Sequence, residues 1–157
     1  MSDSNTRLLR TAGGKPAVEV RFRVRYFETD AMGIVHHAAY ITWFEEGRSA
    51  FTRAIGYPYS RMEHEGLSLA VAEVSARYHR PAHYDDEVLV LAALTQLGSR
   101  GMTFAYEVRR AADNELLASG SSRHISVNPE GRVTILPQAL RATLAAQTAW
   151  IGAGRTK

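Results

Sequence analysis

Residues 26–48 read "YFETDAMGIVHHAAYITWFEEGR", and the hydrophobic pattern changes its period inside this stretch. Over residues 18–26, up to the start of the stretch, apolar and charged side chains alternate strictly. This is the period of a half-buried strand. Over residues 39–55, which begin inside the stretch and extend past it, apolar side chains recur every three or four positions. This predicts one long helix with a single apolar stripe. The chain therefore turns from strand to helix at a corner that carries Asp30 and two histidines.

The rest of the chain is predicted to be mostly strand. Four strands are expected in a meander, over residues 69–79, 87–97, 102–110 and 116–127. Before them, Ser60 and Glu63 have capping-box spacing for a short helix that Gly66 ends, and after them Pro137 lies in the first turn of a last helix. The run "VLVLAALTQL" is apolar on both faces, which predicts a central strand covered by the long helix and by a second sheet or subunit. This order favours the α+β class, with one sheet wrapped around one long helix.

Length and charge exclude several classes of protein. The 157 residues fit one domain, which is expected over residues 17–150, with a loose N-terminal tail at 1–16 and a C-terminal tail at 151–157. The net charge is +3, but residues 1–16 carry three basic and one acidic side chain and residues 150–157 carry two basic ones. The body is therefore close to neutral, and binding to nucleic acid is not expected.

Features that the sequence lacks limit the cellular compartment and the kinds of chemistry that are expected. The chain has no cysteine, which removes disulfides, thiolate zinc sites and cysteine nucleophiles together. The start of the sequence has no signal-peptide core, and no uncharged run reaches the ~18 residues that a transmembrane segment needs, so a cytoplasmic protein is expected. His79 and His83 flank Pro81 in a strand-turn setting, which is not helical ligand spacing, so no metal site is expected.

Three motifs in the same order resemble a known family. "TDAMGIVHHAAY", "WFEEGR" and "RYHRPAHYDDEV" are similar to the signature of the hotdog-fold acyl-CoA thioesterases of the 4-hydroxybenzoyl-CoA thioesterase type. The branch is the one that includes the thioesterases associated with the Tol-Pal system, and the resemblance covers residues 18–136. It implies a hotdog fold, an antiparallel sheet around one long central helix, with no cofactor beyond the coenzyme A of the substrate. It also implies a homo-oligomer, a dimer or tetramer, with active sites at the dimer interface.

The resemblance assigns the corner a catalytic role. The family's catalytic carboxylate falls on Asp30, and the helix start whose backbone amides polarise the thioester carbonyl falls on His36 and His37, with Gly33 giving the backbone room to turn. Asp30 is expected to act as nucleophile or as general base on a water, since a thioester is already activated. An assisting role is expected for His37, whereas the role of His36 stays open because many relatives have tyrosine there. On the residues alone, an aspartate at such a position is more often an ordinary turn or cap residue than a catalytic one.

Further side chains are candidates for the substrate's coenzyme A portion. Arginines near loops suit its phosphates, and the best candidates are Arg100 with Ser99 in "GSRG", followed by Arg77 and Arg80. Solvated loop positions are the alternative for each. On the long helix, Glu45 matches a family glutamate and is expected to face inward, whereas Glu46, like Glu73 on a strand, is expected to be exposed.

The predicted function is hydrolysis of an aromatic or short-to-medium aliphatic acyl-CoA to the free acid and coenzyme A. Two alternatives stay open at the level of the sequence, a hotdog-fold dehydratase acting on acyl thioesters and a non-catalytic acyl-CoA-binding protein. Five aromatic residues would suit an aromatic acyl group but more often form plain core: Tyr40, Trp43, Phe44, Tyr57 and Tyr59.

Overall fold

The computed structural model describes residues 5–11, 14 and 16–150. The strands are β1 (Thr6–Arg10), β2 (Pro16–Arg23), β3 (Ser68–Tyr78), β4 (Glu87–Leu97), β5 (Gly101–Arg110) and β6 (Leu116–Val127). The helices are α1 (His37–Ala54), α2 (Tyr59–His64) and α3 (Gln138–Trp150), and a 3₁₀ turn covers Tyr26–Glu28. The C-terminal tail expected at residues 151–157 lies outside the described residues.

The strands form one antiparallel sheet around α1. Their order is β1-β2-β4-β5-β6-β3, so β3 and β1 are the two edges. Helix α1 lies across one face and contacts β2, β4, β3 and β5. This arrangement is the hotdog fold, and the predicted α+β class is confirmed.

The apolar stripe of α1 fills the space between helix and sheet. Trp43 and Phe44 are fully buried there, and burial of such a side chain stabilises the fold by about 1.5–3 kcal/mol. Gly47 lies at the closest approach, since a Cβ atom at this position would lie 3.1 Å from the Cβ of Ala92 and 3.2 Å from the Cγ1 of Val90. The glycine inside the helix pattern is therefore explained by its contact with β4.

Strand β4 is central, as its sequence predicted. Alternate residues from Val88 to Leu94 are buried against α1. On the opposite face, Ala93 forms a small buried cluster with Leu9 and Ala17, and Leu91 packs against it. Leu9, Ala17 and Ala93 are ladder partners in adjacent strands of this one sheet, so they do not supply the second sheet or subunit expected over this face.

Three predictions about the elements are wrong. Part of the expected N-terminal tail is strand β1, which extends the sheet by pairing with β2 over Thr6–Arg10. The meander is incomplete, because β3 pairs with β6 and leaves β4 to pair with β2. The capping box at Ser60 does not form, since α2 begins one residue earlier after Pro58, without a side-chain cap.

Strand β3 is an edge strand with unusual exposure. It has eleven residues, and its apolar side chains Val71, Val74 and Tyr78 are 54%, 42% and 47% exposed. Each of these lies opposite a residue on the helix-facing side of β6, so α1 does not cover this part of the sheet. An uncovered apolar edge of this length is a surface that natural proteins normally pair or shield.

Candidate active site

A tight turn shapes the corner between β2 and α1. The Gly33 amide donates to the Asp30 carbonyl at 2.9 Å, and the Asp30 amide donates to the Ile34 carbonyl at 2.9 Å. Gly33 has φ +76°, the left-handed region in which an L side chain is strained. The predicted need for glycine at this position therefore has a backbone cause.

Hydrogen bonds to neighbouring segments hold the corner in place. The Val35 amide donates to the Ala82 carbonyl at 2.9 Å, and Ile34 forms an isolated antiparallel bridge with His83. The His36 amide donates to the Glu28 carbonyl at 2.8 Å. The turn after β3 and the 3₁₀ turn thus fix the backbone on both sides of Asp30.

Glu28 is a structural residue of the site that the sequence did not reveal. Its buried carboxylate accepts a hydrogen bond from Trp43 Nε1 at 2.6 Å and pairs with Arg25 Nε at 2.9 Å. A buried indole N–H needs an acceptor, and this bond ties the 3₁₀ turn to the stripe of α1. The glutamate and the tryptophan are fifteen positions apart in the sequence, so no periodic pattern links them.

The Asp30 carboxylate faces an open cleft. Its Oδ1 accepts from the Met32 amide at 2.8 Å, the bond of an Asx turn, and Oδ2 has no acceptor or donor contact among the described residues. Asp30 and His37 line the same cleft of about 340 Å³, together with residues of the turn after β3. One carboxylate oxygen of Asp30 therefore stabilises the turn, and the other oxygen is left free in the described structure.

At the start of α1, one residue that lines this cleft, His37, has a backbone amide without an acceptor in the described residues. His36 is the N-cap residue, and its Nδ1 accepts from the Ala38 amide at 3.0 Å. The Val35 and His36 amides are already bonded, as described above. Of the Val35, His36 and His37 amides, the described part of the chain therefore supplies an acceptor for the first two and none for His37.

The two histidine rings have different positions in the corner. They stack with their centroids 4.1 Å apart at an interplanar angle of 27°, and both residues are exposed. The His36 ring is occupied as a helix cap, whereas His37 lines the cleft. This gives His36 the structural function that the sequence left open.

Two tyrosines form an aromatic wall of the cleft. Tyr78 on β3 donates its hydroxyl to the His37 carbonyl at 2.8 Å, and its ring meets the Tyr40 ring edge-on at 5.2 Å. Burial raises the pKa of Tyr40 to about 12, so its hydroxyl stays protonated at neutral pH. A side chain of the edge strand β3 thus contacts the start of α1.

The residues proposed for coenzyme A are not all near this cleft. Arg80 lines it, and its guanidinium lies 3.5 Å from the carboxylate of Glu115. Arg77 is exposed on β3 and does not belong to the lining. Ser99 and Arg100 join β4 to β5 at the far end of the sheet, about 35 Å from the corner for a strand of eleven residues, so one chain does not bring them to Asp30.

The helix and strand carboxylates lie outside the cleft. Glu45 is exposed, so the expectation that it faces inward is wrong. Glu46 is exposed as expected and lies 3.8 Å from Arg53, and Glu73 is exposed on β3, 3.9 Å from Arg123. Asp30 is therefore the carboxylate that faces the helix start.

A second polar group of residues lies inside the fold, between α1 and strands β5 and β6. We call it the buried polar cluster. Arg48 donates to the Tyr59 hydroxyl at 3.0 Å and to the Tyr106 hydroxyl at 3.1 Å. The Tyr106 hydroxyl lies 2.5 Å from Ser122 Oγ, which lies 2.6 Å from His124 Nε2. His124 Nδ1 has no partner in the described residues, so the polar chain ends there.

Burial controls the charges of this cluster. Burial lowers the pKa of His124 to about 4, and the nearby Arg48 charge acts in the same direction. Burial also disfavours the charged form of Arg48, but the hydroxyls of Tyr59 and Tyr106 outweigh it and raise the Arg48 pKa. The cluster therefore holds a cation and a neutral histidine at neutral pH.

Among the residues that the structure describes, no three His, Asp or Glu side chains are grouped so as to hold a metal ion. In the same part of the chain, no helix combines the length and apolar character needed to cross a bilayer.

The fold and the corner define a hotdog-fold thioesterase. The family description "Thioesterase-like superfamily" matches residues 24–144, so the chain belongs to this superfamily. YneP of Bacillus subtilis is 36% identical over 107 residues, which is 68% of this chain and 77% of YneP. The acyl-CoA thioester hydrolase YbgC of Escherichia coli is 26% identical over 80% of this chain and 90% of YbgC. The crystal structure of the hypothetical protein TT1821 from Thermus thermophilus has a TM-score of 0.77 at 35% identity, covering 82% of this chain and 97% of that one.

Proposed function

We propose that this thioesterase hydrolyses acyl-CoA, with Asp30 as the reacting carboxylate and the His37 amide as the oxyanion donor. The observation that carries the proposal is the convergence of a carboxylate with a free oxygen and a free helix-start amide on one cleft. The amide lies at the positive end of the helix dipole of α1, which has eighteen residues. Negative charge that develops on the thioester oxygen is stabilised there.

In the nucleophilic route, a carboxylate oxygen of Asp30 attacks the thioester carbonyl carbon. The carbonyl oxygen becomes an oxyanion at the His37 amide, and the carbon–sulfur bond breaks to release the coenzyme A thiolate. The mixed anhydride that remains is cleaved by water, which returns the Asp30 carboxylate and yields the free acid. The Asx-turn bond from Met32 leaves one oxygen free for the attack.

In the general-base route, Asp30 takes a proton from a water molecule that attacks the same carbon. The oxyanion again forms at the His37 amide, and the proton on Asp30 goes to the departing thiolate. The His37 ring lines the cleft and is placed to assist that transfer. Both routes use the same two groups, so they share the first experimental test.

The cleft supports a small acyl group. Its volume is about 340 Å³, and Tyr40 and Tyr78 form one wall. An aromatic acyl group or a short-to-medium aliphatic one fits these dimensions and surfaces. Arg80 at the rim is the proposed partner of a coenzyme A phosphate, because a guanidinium matches phosphate geometry.

A homo-oligomer would complete the coenzyme A site. If two copies pair antiparallel through β3, the start of one β3 lies beside the end of the other. Within each chain, the Ser126 amide donates to the Arg100 carbonyl at 2.9 Å, so the hairpin of Ser99 and Arg100 lies near the start of β3. Pairing of this kind brings the partner's hairpin toward the Asp30 end of the sheet and supports the proposed roles of Ser99 and Arg100.

The proposal is tested by thiol release from aromatic and graded aliphatic acyl-CoAs. We expect turnover by the native chain and a loss of about 1,000-fold or more in kcat for Asp30→Asn, since the amide neither attacks nor accepts a proton. Binding of intact acyl-CoA to Asp30→Asn, measured by calorimetry, is expected to persist. The matched control is Asp85→Asn, because Asp85 is an exposed carboxylate near the same corner that does not line the cleft.

Other outcomes would redirect the function. Undiminished turnover in Asp30→Asn would remove Asp30 from its role. Binding of every acyl-CoA without thiol release would favour the acyl-CoA-binding alternative. Loss of water from a hydroxyacyl thioester with retention of its thiol would favour the dehydratase.

A further inference from the structure

Tyr78 connects the sheet to the residue that carries the free helix-start amide. It is the last residue of β3, and its backbone pairs with Ala118 of β6. Its hydroxyl donates to the carbonyl of His37 at 2.8 Å. A side chain of the edge strand therefore holds the residue that is the proposed oxyanion donor.

The side chain of Tyr78 is itself held by its neighbours. Its ring meets the buried Tyr40 ring edge-on, with the centroids 5.2 Å apart and an interplanar angle of 71°. Directly after it, the His79 amide donates to the Leu117 carbonyl at 2.8 Å, so the sheet continues to fix the backbone. A group on a strand is positioned more precisely than one on a loop.

The bond from Tyr78 acts on the peptide group that follows the free amide. This group joins His37 to Ala38, and its N–H donates to His36 Nδ1 at 3.0 Å. Its carbonyl oxygen accepts from Tyr78, so side chains hold both ends of one planar unit. Hydrogen bonds in such a chain also polarise one another.

The peptide group before the free amide is held as well. Its N–H, that of His36, donates to the Glu28 carbonyl at 2.8 Å. The group between His36 and His37, which carries the free amide, has its carbonyl bonded to the Ala39 amide at 3.0 Å. Because peptide groups are planar, only rotations at the two flanking Cα atoms turn it. The direction of the free N–H therefore depends on the Glu28 bond on one side and on the Tyr78 bond on the other.

We propose that Tyr78 is a positioning residue of the thioesterase reaction, which directs the His37 amide toward the oxyanion that forms in the Asp30 cleft. The inference rests on the proposed function and adds a residue that acts through the helix start. Donors that are already oriented stabilise the transition state because they need no rearrangement when charge develops. Tyr78, His37 and Asp30 line the same cleft, which places this support beside the reaction.

Exposure separates this role from a stabilising one. The side chain of Tyr78 is half-exposed, so water replaces the lost hydroxyl in Tyr78→Phe and the fold keeps its stability. The phenylalanine ring also keeps the wall of the cleft, so the ground-state binding of substrate is unchanged. An interaction that matters only in the transition state lowers kcat and leaves KM as it was.

The test is the rate of thiol release by Tyr78→Phe, with Tyr84→Phe as the matched control. Tyr84 is also exposed, and its recorded contact is the ring of Tyr26. For Tyr78→Phe we expect kcat to fall about tenfold, which is less than the 100- to 1,000-fold loss when an oxyanion donor is removed outright. KM and the urea unfolding midpoint are expected to match those of the native chain. Tyr84→Phe is expected to change kcat less than twofold.

A second measurement reports the hydrogen bond without activity. The nitrogen-15 resonance of the Ala38 amide responds to the bond on the His37 carbonyl, because both belong to one peptide group. We expect this resonance to shift in Tyr78→Phe and to stay in place in Tyr84→Phe. In the Asp30→Asn background, Tyr78→Phe is expected to leave the dissociation constant of intact acyl-CoA unchanged, since no oxyanion forms in the bound ground state.

Four results would overturn the inference. An active native chain whose kcat is the same in Tyr78→Phe rejects it, as does an Ala38 resonance that does not move. A rise in KM with kcat unchanged would make Tyr78 a binding residue. A loss above a hundredfold with an altered pH profile would make its hydroxyl a proton donor. A native chain that releases no thiol overturns the proposed activity first, and this inference with it.

Discussion

The corner and the buried polar cluster both contain histidine, but the polar groups of the corner face an open cleft and those of the cluster are buried. At the corner, Asp30 and the His37 amide face an open cleft. In the cluster, Arg48 and His124 are enclosed by the sheet and α1, and burial shifts the pKa of His124 to about 4. Burial thus shifts the pKa of a group that lies away from the proposed chemistry, as it also does for Tyr40 in the wall of the cleft.

The difference shows that a perturbed pKa follows burial before it follows function. A search for shifted groups would select His124 as a catalytic candidate, although its ring is 1% exposed and bonded to Ser122. The corner is instead recognised by unsatisfied groups, a carboxylate oxygen and a backbone amide. Four predictions test this separation of a structural site from a reactive one.

The largest effect is expected from the pH dependence of stability at His124. Its pKa is about 4 in the folded chain and 6.5 in the unfolded reference, so between these values the unfolded chain binds a proton that the folded chain does not. This contribution is complete above pH 6.5 and is lost as pH falls through 4, by about 3 kcal/mol. Urea unfolding between pH 4 and 7 measures it.

A comparison of two variants isolates this histidine from the other titrating groups. His124→Gln is expected to flatten the curve between pH 6.5 and 4, the pKa values of the two states. His64→Gln, on an exposed position of α2, is expected to leave the slope as in the native chain. Equal slopes in all three proteins would contradict the burial of a neutral histidine.

The next effect concerns the hydroxyl of Tyr106. Tyr106→Phe keeps the ring stacked on Phe44, 4.4 Å away, but leaves Arg48 Nη1 and Ser122 Oγ without this partner. We expect a loss of about 2 kcal/mol in unfolding free energy at a fixed chain concentration, because buried polar groups become unsatisfied. Thiol release per folded molecule is expected to change less than twofold.

Tyr84→Phe is the matched control for that loss. Tyr84 is 58% exposed and meets Tyr26 through its ring, so removal of its hydroxyl is expected to cost less than about 0.5 kcal/mol. A large fall in turnover for Tyr106→Phe with little change in stability would show that the buried polar cluster and the corner act as one functional site.

The sequence predicted the fold where a pattern is local and repeated. The alternation before Tyr26 and the stripe of α1 give β2 and α1, because each side chain's environment follows from its period. Strand β1 was missed because it is short and three of its five residues are polar, so that its pairing with β2 and not its own pattern makes it a strand. The neighbour of β3 was missed because strand order depends on the long connections around α1.

The sequence points only to those residues of the candidate site that lie within its motif. The motif contains Asp30, Gly33 and the helix start, and the structure adds that, in the described residues, the Val35 and His36 amides have acceptors whereas the His37 amide has none. Glu28 and the partners of Arg48 were beyond reach, because they are single contacts between residues distant in sequence. Such contacts follow from packing, which no period in the sequence encodes.

A third prediction concerns the turn beside Asp30. Gly33→Ala and Gly131→Ala both place an alanine at a φ of about +77°, with no atom within 4 Å of the new Cβ, so each is expected to lose about 1–2 kcal/mol in stability. Only Gly33→Ala is expected to lower kcat, by about tenfold, since its turn sets the position of Asp30 relative to the His37 amide. Equal kcat values for the two variants would show that the corner tolerates displacement.

The smallest effects separate the two histidines of the corner. His36→Ala removes the cap on the Ala38 amide and is expected to cost about 1 kcal/mol, whereas His36→Asn, which also caps, is expected to restore most of it. His37→Ala keeps the backbone amide, so kcat is expected to fall only a few-fold if the oxyanion donor is the main contribution of this residue. A fall of a hundredfold or more would instead place the His37 ring in the proton transfer to the thiolate. In that case a side chain, and not only the backbone of the helix start, distinguishes the reactive corner from the buried polar cluster.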